Sequence, residues 1–225
     1  MLQNKKNKNR LAQLFISVFI FIFVADKENT NLLISNYSMA LQFKIQIKNI
    51  QKPPVWRQVL VPDNFTFDEF HLVIQDAFGW DNYHLYQFSP TGYGSTPIIA
   101  LASEDDWEAP DMEADETKLK DIFKTENQEY TYIYDFGDDW IHSIILEKIL
   151  DDKIKHAKCL AGKGFCPPED CGGPGGYERI KDVLANPDHE EYKDTREWLG
   201  LEDDNEVFDP NEFDLESTNE ILASN

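Results

Sequence analysis

Arginine is scarce in this sequence. There are four among 225 residues, and Lys and Arg together number 21 against 42 Asp and Glu. The net charge of −21 excludes a protein that grips duplex DNA or RNA through a broad basic face, because neutralising phosphates takes clustered cations. Cysteine is sparse too. Three residues, an odd number, make no disulfide framework and suit a reducing compartment. The apolar run Leu14–Ala25 is short, at twelve residues, where a membrane-crossing helix needs about 20. What is present is 41% hydrophobic residues with 13% aromatic, enough to fill a core, so wholesale disorder is excluded. Composition describes a soluble, acidic, globular chain of one large domain or two small ones.

Residues 1–38 differ from the remainder. They hold five basic groups against two acidic, a net of +3, which leaves residues 39–225 at −24. A basic start followed by an apolar run has the outline of a signal or anchor segment, although Phe23 stands where a small residue is expected before a cut after Ala25. The stretch is also crowded with Asn, Lys, Ile and Phe, as translated AT-rich DNA is, and Met39 directly precedes the first patterned strand. A translation start misassigned upstream of Met39 is the first reading, a signal or anchor the second, a structured helix the third. The expected location is cytoplasmic, or exported or membrane-anchored if residues 1–38 are a genuine signal.

Leu41, Phe43, Ile45 and Ile47 alternate with polar residues, the period of a half-buried strand. Pro53-Pro54 breaks the chain, and Val55 to Val61 reads as a second, antiparallel strand. Thr66 and Glu69 have capping-box spacing, and Phe70, Val73, Ile74, Ala77 and Phe78 share a helical face ended by Gly79. His84 to Phe88 is a short aromatic strand. Glu104 to Glu116, with eight acidic residues in thirteen, is expected to be a solvated loop. Thr117 to Lys124 gives one or two helical turns. Tyr130 to Phe136 and Trp140 to Ile149 are strands joined by Gly137-Asp138-Asp139. Residues 160–177, with six glycines and three prolines, read as loop. Helices follow at Tyr177 to Ala185 and Glu190 to Leu199, and Ser217 with Glu220 caps a last turn. There is no internal repeat. Strands first and helices late predict an α+β fold, a mostly antiparallel sheet with helices packed on one side, in a single main domain.

Three stretches carry a resemblance. They are Pro53-Pro54-Val55-Trp56-Arg57 with the His71 helix behind it, Tyr134-Asp135-Phe136-Gly137-Asp138-Asp139-Trp140-Ile141-His142, and Cys166-Pro167-Pro168-Glu169-Asp170-Cys171-Gly172-Gly173 leading to Gly176-Tyr177. In this order they resemble the plasmid pRiA4b ORF-3-like family, sometimes labelled a transposon passenger of TnpR type. The likeness spans residues 40–218, leaving 219–225 as a C-terminal tail. It implies an α+β fold and an association with plasmids or mobile elements, and it brings no activity with it. The label suggests a resolvase, but a serine recombinase needs a nucleophilic Ser backed by clustered arginines, and this chain has no such cluster.

Two groups of residues could carry chemistry. Cys159, Cys166 and Cys171, with His156 or alternatively His142, offer thiolate and imidazole ligands that a glycine-rich loop could wrap round zinc. Their spacing is looser than paired C-x-x-C hooks, and three ordinary thiols is the competing reading. Asp135, Asp138, Asp139, His142 and Glu147 form the second group. Strand alternation separates His142 from Glu147 and leaves it free to meet Asp135 or Asp138 across the hairpin, where a carboxylate could orient a general base. Aspartates that cap turn amides are the commoner outcome there. Glu169 and Asp170 sit between stiff Pro168 and permissive glycines, a loop suited to presenting two carboxylates. The glycine run lacks both the G-K-[ST] ending of a P-loop and G-x-G-x-x-G spacing, which excludes nucleotide binding on its account. Arg57 is expected in an internal salt bridge, and the five tryptophans as core or rim.

No complete catalytic set emerges. The first expectation is a non-enzymatic binding module whose acidic surface engages a basic protein partner, with direct nucleic-acid binding disfavoured. The alternative is a zinc-dependent enzyme using the cysteine loop or the Asp/His hairpin, with Glu169 or Asp139 as general base.

Overall fold

The computed structural model describes residues 38–102, 109–201, 203 and 205–224. Residues 1–37 of the leader and Glu104–Glu108 of the acidic stretch lie outside the described residues. β1 (Ser38–Ile47) alternates as expected, with Leu41, Phe43, Ile45 and Ile47 all buried. It pairs antiparallel with β2 (Trp56–Pro62), Phe43 opposite Val59. The helix α1 (Phe67–Phe78) starts on the anticipated capping box. The Glu69 amide donates to Thr66 Oγ1 at 3.1 Å, and the Thr66 amide donates to Glu69 Oε2 at 2.7 Å. Gly79 closes the helix at φ 87°, a conformation that costs a Cβ-bearing residue about 1–2 kcal/mol. Phe67, Phe70 and Ile74 are wholly buried on the sheet, worth about 1.5–3 kcal/mol each. The Phe43 and Phe70 rings meet at 4.8 Å.

Next come β3 (Tyr86–Ser89), β4 (Ile99–Ala100), β5 (Met112–Glu113), the single turn α2 (Leu119–Ile122), β6 (Glu129–Tyr134), β7 (Trp140–Ile154) and β8 (Lys158–Lys163). They complete an eight-stranded sheet in the order β5-β4-β3-β6-β7-β1-β2-β8. Its described ladders are antiparallel except β4 with β5. Three helices close the chain: α3 (Gly173–Leu184), α4 (Tyr192–Trp198) and α5 (Leu215–Ser224), the last packed on both α1 and β8. This is the α+β architecture expected, and Met39–Asn225 forms one compact unit. Among the described residues no helix is long and apolar enough to cross a membrane.

Several local readings are corrected. The glycine- and proline-rich stretch is not all loop. β8 pairs along β2 with a bulge at Gln58/Val59, and α3 begins at Gly173 rather than Tyr177. The acidic stretch contributes β5, paired to β4. β6 ends at Tyr134, so the hairpin connection is the five residues Asp135–Asp139. The last helix is capped by Asp214, whose Oδ1 accepts from the Glu216 and Ser217 amides, not by Ser217. The supposed tail completes that helix. Asn219 exchanges two hydrogen bonds with the Cys159 backbone, and Leu222 is buried.

Candidate functional site

Two of the three motif segments converge, but around a histidine that none of the three contains. His84 sits in the connection between α1 and β3, its ring edge-on to Tyr134 at 5.7 Å. Its Nε2 faces three carboxylates. Asp170 Oδ1 lies 3.4 Å away, Asp135 Oδ2 3.7 Å and Glu169 Oε2 3.8 Å. Both His84 Nε2 and Glu169 Oε2 are buried without a hydrogen-bond partner among the described residues. His84, Asp135 and Asp170 offer ligand atoms that all lie within 4.8 Å of one another.

Each of these groups is held in place by backbone the sequence specifies. Asp135 leaves the strand at φ 55°, and its Oδ1 accepts from the Gly137 amide at 2.9 Å, which turns Oδ2 toward His84. Asp170 is also left-handed, at φ 56°, and presents an exposed carboxylate. Such conformations cost roughly 1 kcal/mol or more each and gather where function demands them. Glu169 Oε1 accepts from the Tyr134 hydroxyl at 2.8 Å and from the Asp81 amide at 3.0 Å. The same hydroxyl oxygen accepts from the Tyr83 amide at 3.0 Å. Burial, then the bond to Glu169, raise the Tyr134 phenol above its ordinary value and keep it a donor.

Beneath the site, Trp80 donates from Nε1 to the Pro167 carbonyl at 2.9 Å and stacks on Tyr134 at 5.1 Å. That bond pins the Pro167–Gly172 loop to the connection that follows α1. The 81–84 connection is fixed from α1. His71 Nε2 lies 2.7 Å from Asn82 Oδ1, and His71 Nδ1 lies 2.7 Å from the Tyr132 hydroxyl. Asn82 Oδ1 can only accept, which assigns the Nε2–H tautomer and makes Nδ1 the acceptor from Tyr132. Gln75 Oε1 holds the Asn82 amide at 3.1 Å. Burial lowers His71 to about 4, so it is a neutral brace.

The other expected site residues are distributed differently. His142 does not meet Asp135 or Asp138. It is fully buried, its Nδ1 sits 2.8 Å from the Trp140 carbonyl, and the rings of Phe78, Trp80 and Tyr132 surround it. Burial lowers it to about 3. Asp138 Oδ2 accepts from the Gly172 amide at 3.0 Å, joining two motif loops, and Asp139 Oδ1 accepts from the Tyr93 hydroxyl at 2.5 Å. Glu147 faces the opposite side of the sheet, bonded by Gln42 and Gln58. Gly173 owes its identity to this packing. At φ 68°, an added Cβ would strike the Asp138 carbonyl oxygen.

Cys159, Cys166, Cys171 and His156 are not gathered around one point among the described residues. Burial raises all three thiols, Cys171 to about 12. Cys159 instead turns its Sγ to the Ala161 carbonyl. Arg57 pairs with no carboxylate among the described residues. Its Nε donates to the Ala77 carbonyl at 2.8 Å and its Nη1 to carbonyls of Trp56, Lys163 and Gly164, between the Phe78 and Phe213 rings. Trp80 and Trp140 are core, Trp56 lies under Lys44, Trp198 is exposed, and Trp107 is outside the described residues.

His84 carried one signal that sequence reasoning passed over. It follows Trp80-Asp81-Asn82-Tyr83, a polar break between a capped helix and an aromatic strand, where a ligand-bearing loop belongs.

A family model described as plasmid pRiA4b ORF-3-like protein matches residues 39–217, which include every residue of the cluster. The uncharacterized protein y4hQ of Sinorhizobium fredii is 35% identical over 164 residues, covering 72% of this chain and 82% of that protein. The crystal structure of the protein of unknown function MM3350 from Methanosarcina mazei Go1 aligns with a TM-score of 0.69 at 38% identity. That alignment covers 80% of this chain and 97% of the other.

Proposed function

This chain belongs to the plasmid pRiA4b ORF-3-like family, and we propose that it is a divalent-metal protein whose centre is built by His84, Asp135, Glu169 and Asp170. The observation that carries the proposal is His84 Nε2, a buried, unpartnered nitrogen facing three carboxylate oxygens at 3.4–3.8 Å. Ligands bound about 2.0–2.2 Å from an ion stand roughly 3–3.6 Å apart, so these separations need little contraction. One imidazole with carboxylates suits Mn²⁺, Fe²⁺ or Zn²⁺ better than a thiolate-selected ion. Three or four protein ligands with Asp170 on the solvent side leave room for water on the metal. That is the open arrangement of catalytic rather than closed structural sites. The hairpin half of the zinc-enzyme expectation is retained through Asp135, with His84 in place of His142. The thiols are not needed.

Calorimetric titration of the EDTA-stripped protein with Mn²⁺ and Zn²⁺ tests this reading. One ion per chain is expected, with binding lost in His84→Ala and kept in Cys171→Ser. Binding that survives His84→Ala and disappears with the cysteine would overturn it.

A further inference from the structure

Beside the cluster runs a groove of about 560 Å³, within the range of ligand sites. It lies between the end of α1, the Phe165–Glu169 loop, the end of α4 and the face of α5. Its walls are aromatic and aliphatic: Trp80, Phe165, Phe213 and Trp198, with Ile221 on α5. Trp198 is 52% exposed and Ile221 42%, which leaves apolar surface open at the mouth of the groove. The charged groups at the rim are acidic, beside the hydroxyls of Ser217 and Thr218. Asp81 and Glu212 line it with exposed carboxylates that have no partner among the described residues, and Glu169 Oε2 is buried without one. Arg57 is the single cation in the lining. Its guanidinium is occupied by four backbone carbonyls and covered by the Phe78 and Phe213 rings. The chain around the groove carries a net −24 over residues 39–225.

From this complementarity we infer that the groove is a docking site for an arginine- or lysine-bearing segment of a partner protein. A cationic side chain lies with its stem among Trp198 and Ile221 and its head group between Asp81 and Glu212. Long cationic side chains are suited to such a place because their methylenes cover apolar surface while the charge stays at the rim. An indole face adds cation–π attraction there. The carboxylates discriminate against neutral or acidic segments, which leave Asp81 and Glu212 unpaired. This site does not rest on the metal centre, although Glu169 borders both.

The test is calorimetry on the full chain in EDTA, so that no ion contributes. The probes are the peptide Ac-Gly-Arg-Leu-Arg-Gly-amide and its counterpart with both arginines replaced by citrulline, which keeps shape and removes charge. Saturable one-to-one binding of the arginine peptide is expected, with the citrulline peptide at least about tenfold weaker. Asp81→Asn/Glu212→Gln and, separately, Trp198→Ala should each weaken the arginine peptide by about tenfold or more. All three positions are exposed, so these variants keep the fold. Asp151→Asn/Asp152→Asn, on the exposed end of β7, should leave affinity unchanged. Equal binding of the two peptides, or equal loss in the β7 pair, would overturn the assignment. Spermidine binding as tightly as the peptide would overturn the choice of a protein segment.

Discussion

The hydroxyl of Tyr134 donates to Glu169 Oε1 at 2.8 Å while its oxygen accepts from the Tyr83 amide at 3.0 Å. One phenol at the end of β6 thereby ties the connection that bears His84 to the loop that bears two of its facing carboxylates. Tyr134 offers no ligand atom itself and acts through Glu169, whose second oxygen faces His84. It is a positioning residue.

Tyr134→Phe keeps the buried ring and removes the tie. Metal affinity should fall about 10–100-fold, the usual loss for an outer-shell partner, with roughly 1–3 kcal/mol of stability. Calorimetry and urea unfolding measure the two separately. Unchanged affinity would show that Glu169 holds its place without the phenol.

Stability should drop on mild acidification. His71 and His142 are lowered from 6.5 to about 4 and about 3 by burial. Below pH 6.5 the unfolded chain therefore takes up protons that the fold refuses until much lower pH. Their contribution is whole above pH 6.5 and is lost as pH falls toward 4, by about 3 kcal/mol for each imidazole. Urea midpoints between pH 7.5 and 4 should show the decline, and His142→Phe should flatten it. A wild-type profile level to pH 4.5 would contradict the assignment of both rings as neutral core groups.

Gly173→Ala and Gly175→Ala should act in opposite directions. The first sets a methyl against the Asp138 carbonyl at a left-handed backbone and should cost at least about 2 kcal/mol. The second enters open space on the first turn of α3 and should stabilise by up to about 1 kcal/mol. Thermal melts of the two variants suffice.

The thiols should be sluggish in the folded protein. Burial holds all three above their ordinary range, and the thiolate is the reactive form. At pH 8 a disulfide reagent should titrate three thiols promptly only after denaturation. Fast reaction of the native protein, or its suppression by added Zn²⁺, would revive the cysteine-loop metal reading.

The fold was legible wherever a period or a cap was local. The alternation of β1 and the Thr66/Glu69 box each specify their element from within. β8 was not legible, because Lys158–Lys163 includes Ala161 and Gly162, poor strand formers, and is a strand through its ladder to β2. The site was half legible. Asp135, Glu169 and Asp170 stood out as carboxylates in turns, but which histidine they face is set by sheet order and by the brace from His71 to Asn82. Chain proximity favoured His142, whereas alternation along β7 puts it on the buried face with Trp140 and Ile144. Arg57 shows the same limit. Composition suggested a salt bridge, and the fold supplied carbonyls instead.

The most direct measurement is anomalous diffraction from crystals of the protein soaked in Mn²⁺. The expected result is one strong peak about 2.1–2.3 Å from His84 Nε2, shared with oxygens of Asp135 and Asp170 or Glu169, and absent in His84→Ala crystals. A peak at the cysteines, or none at His84 with Mn²⁺ in excess, would contradict the proposed centre.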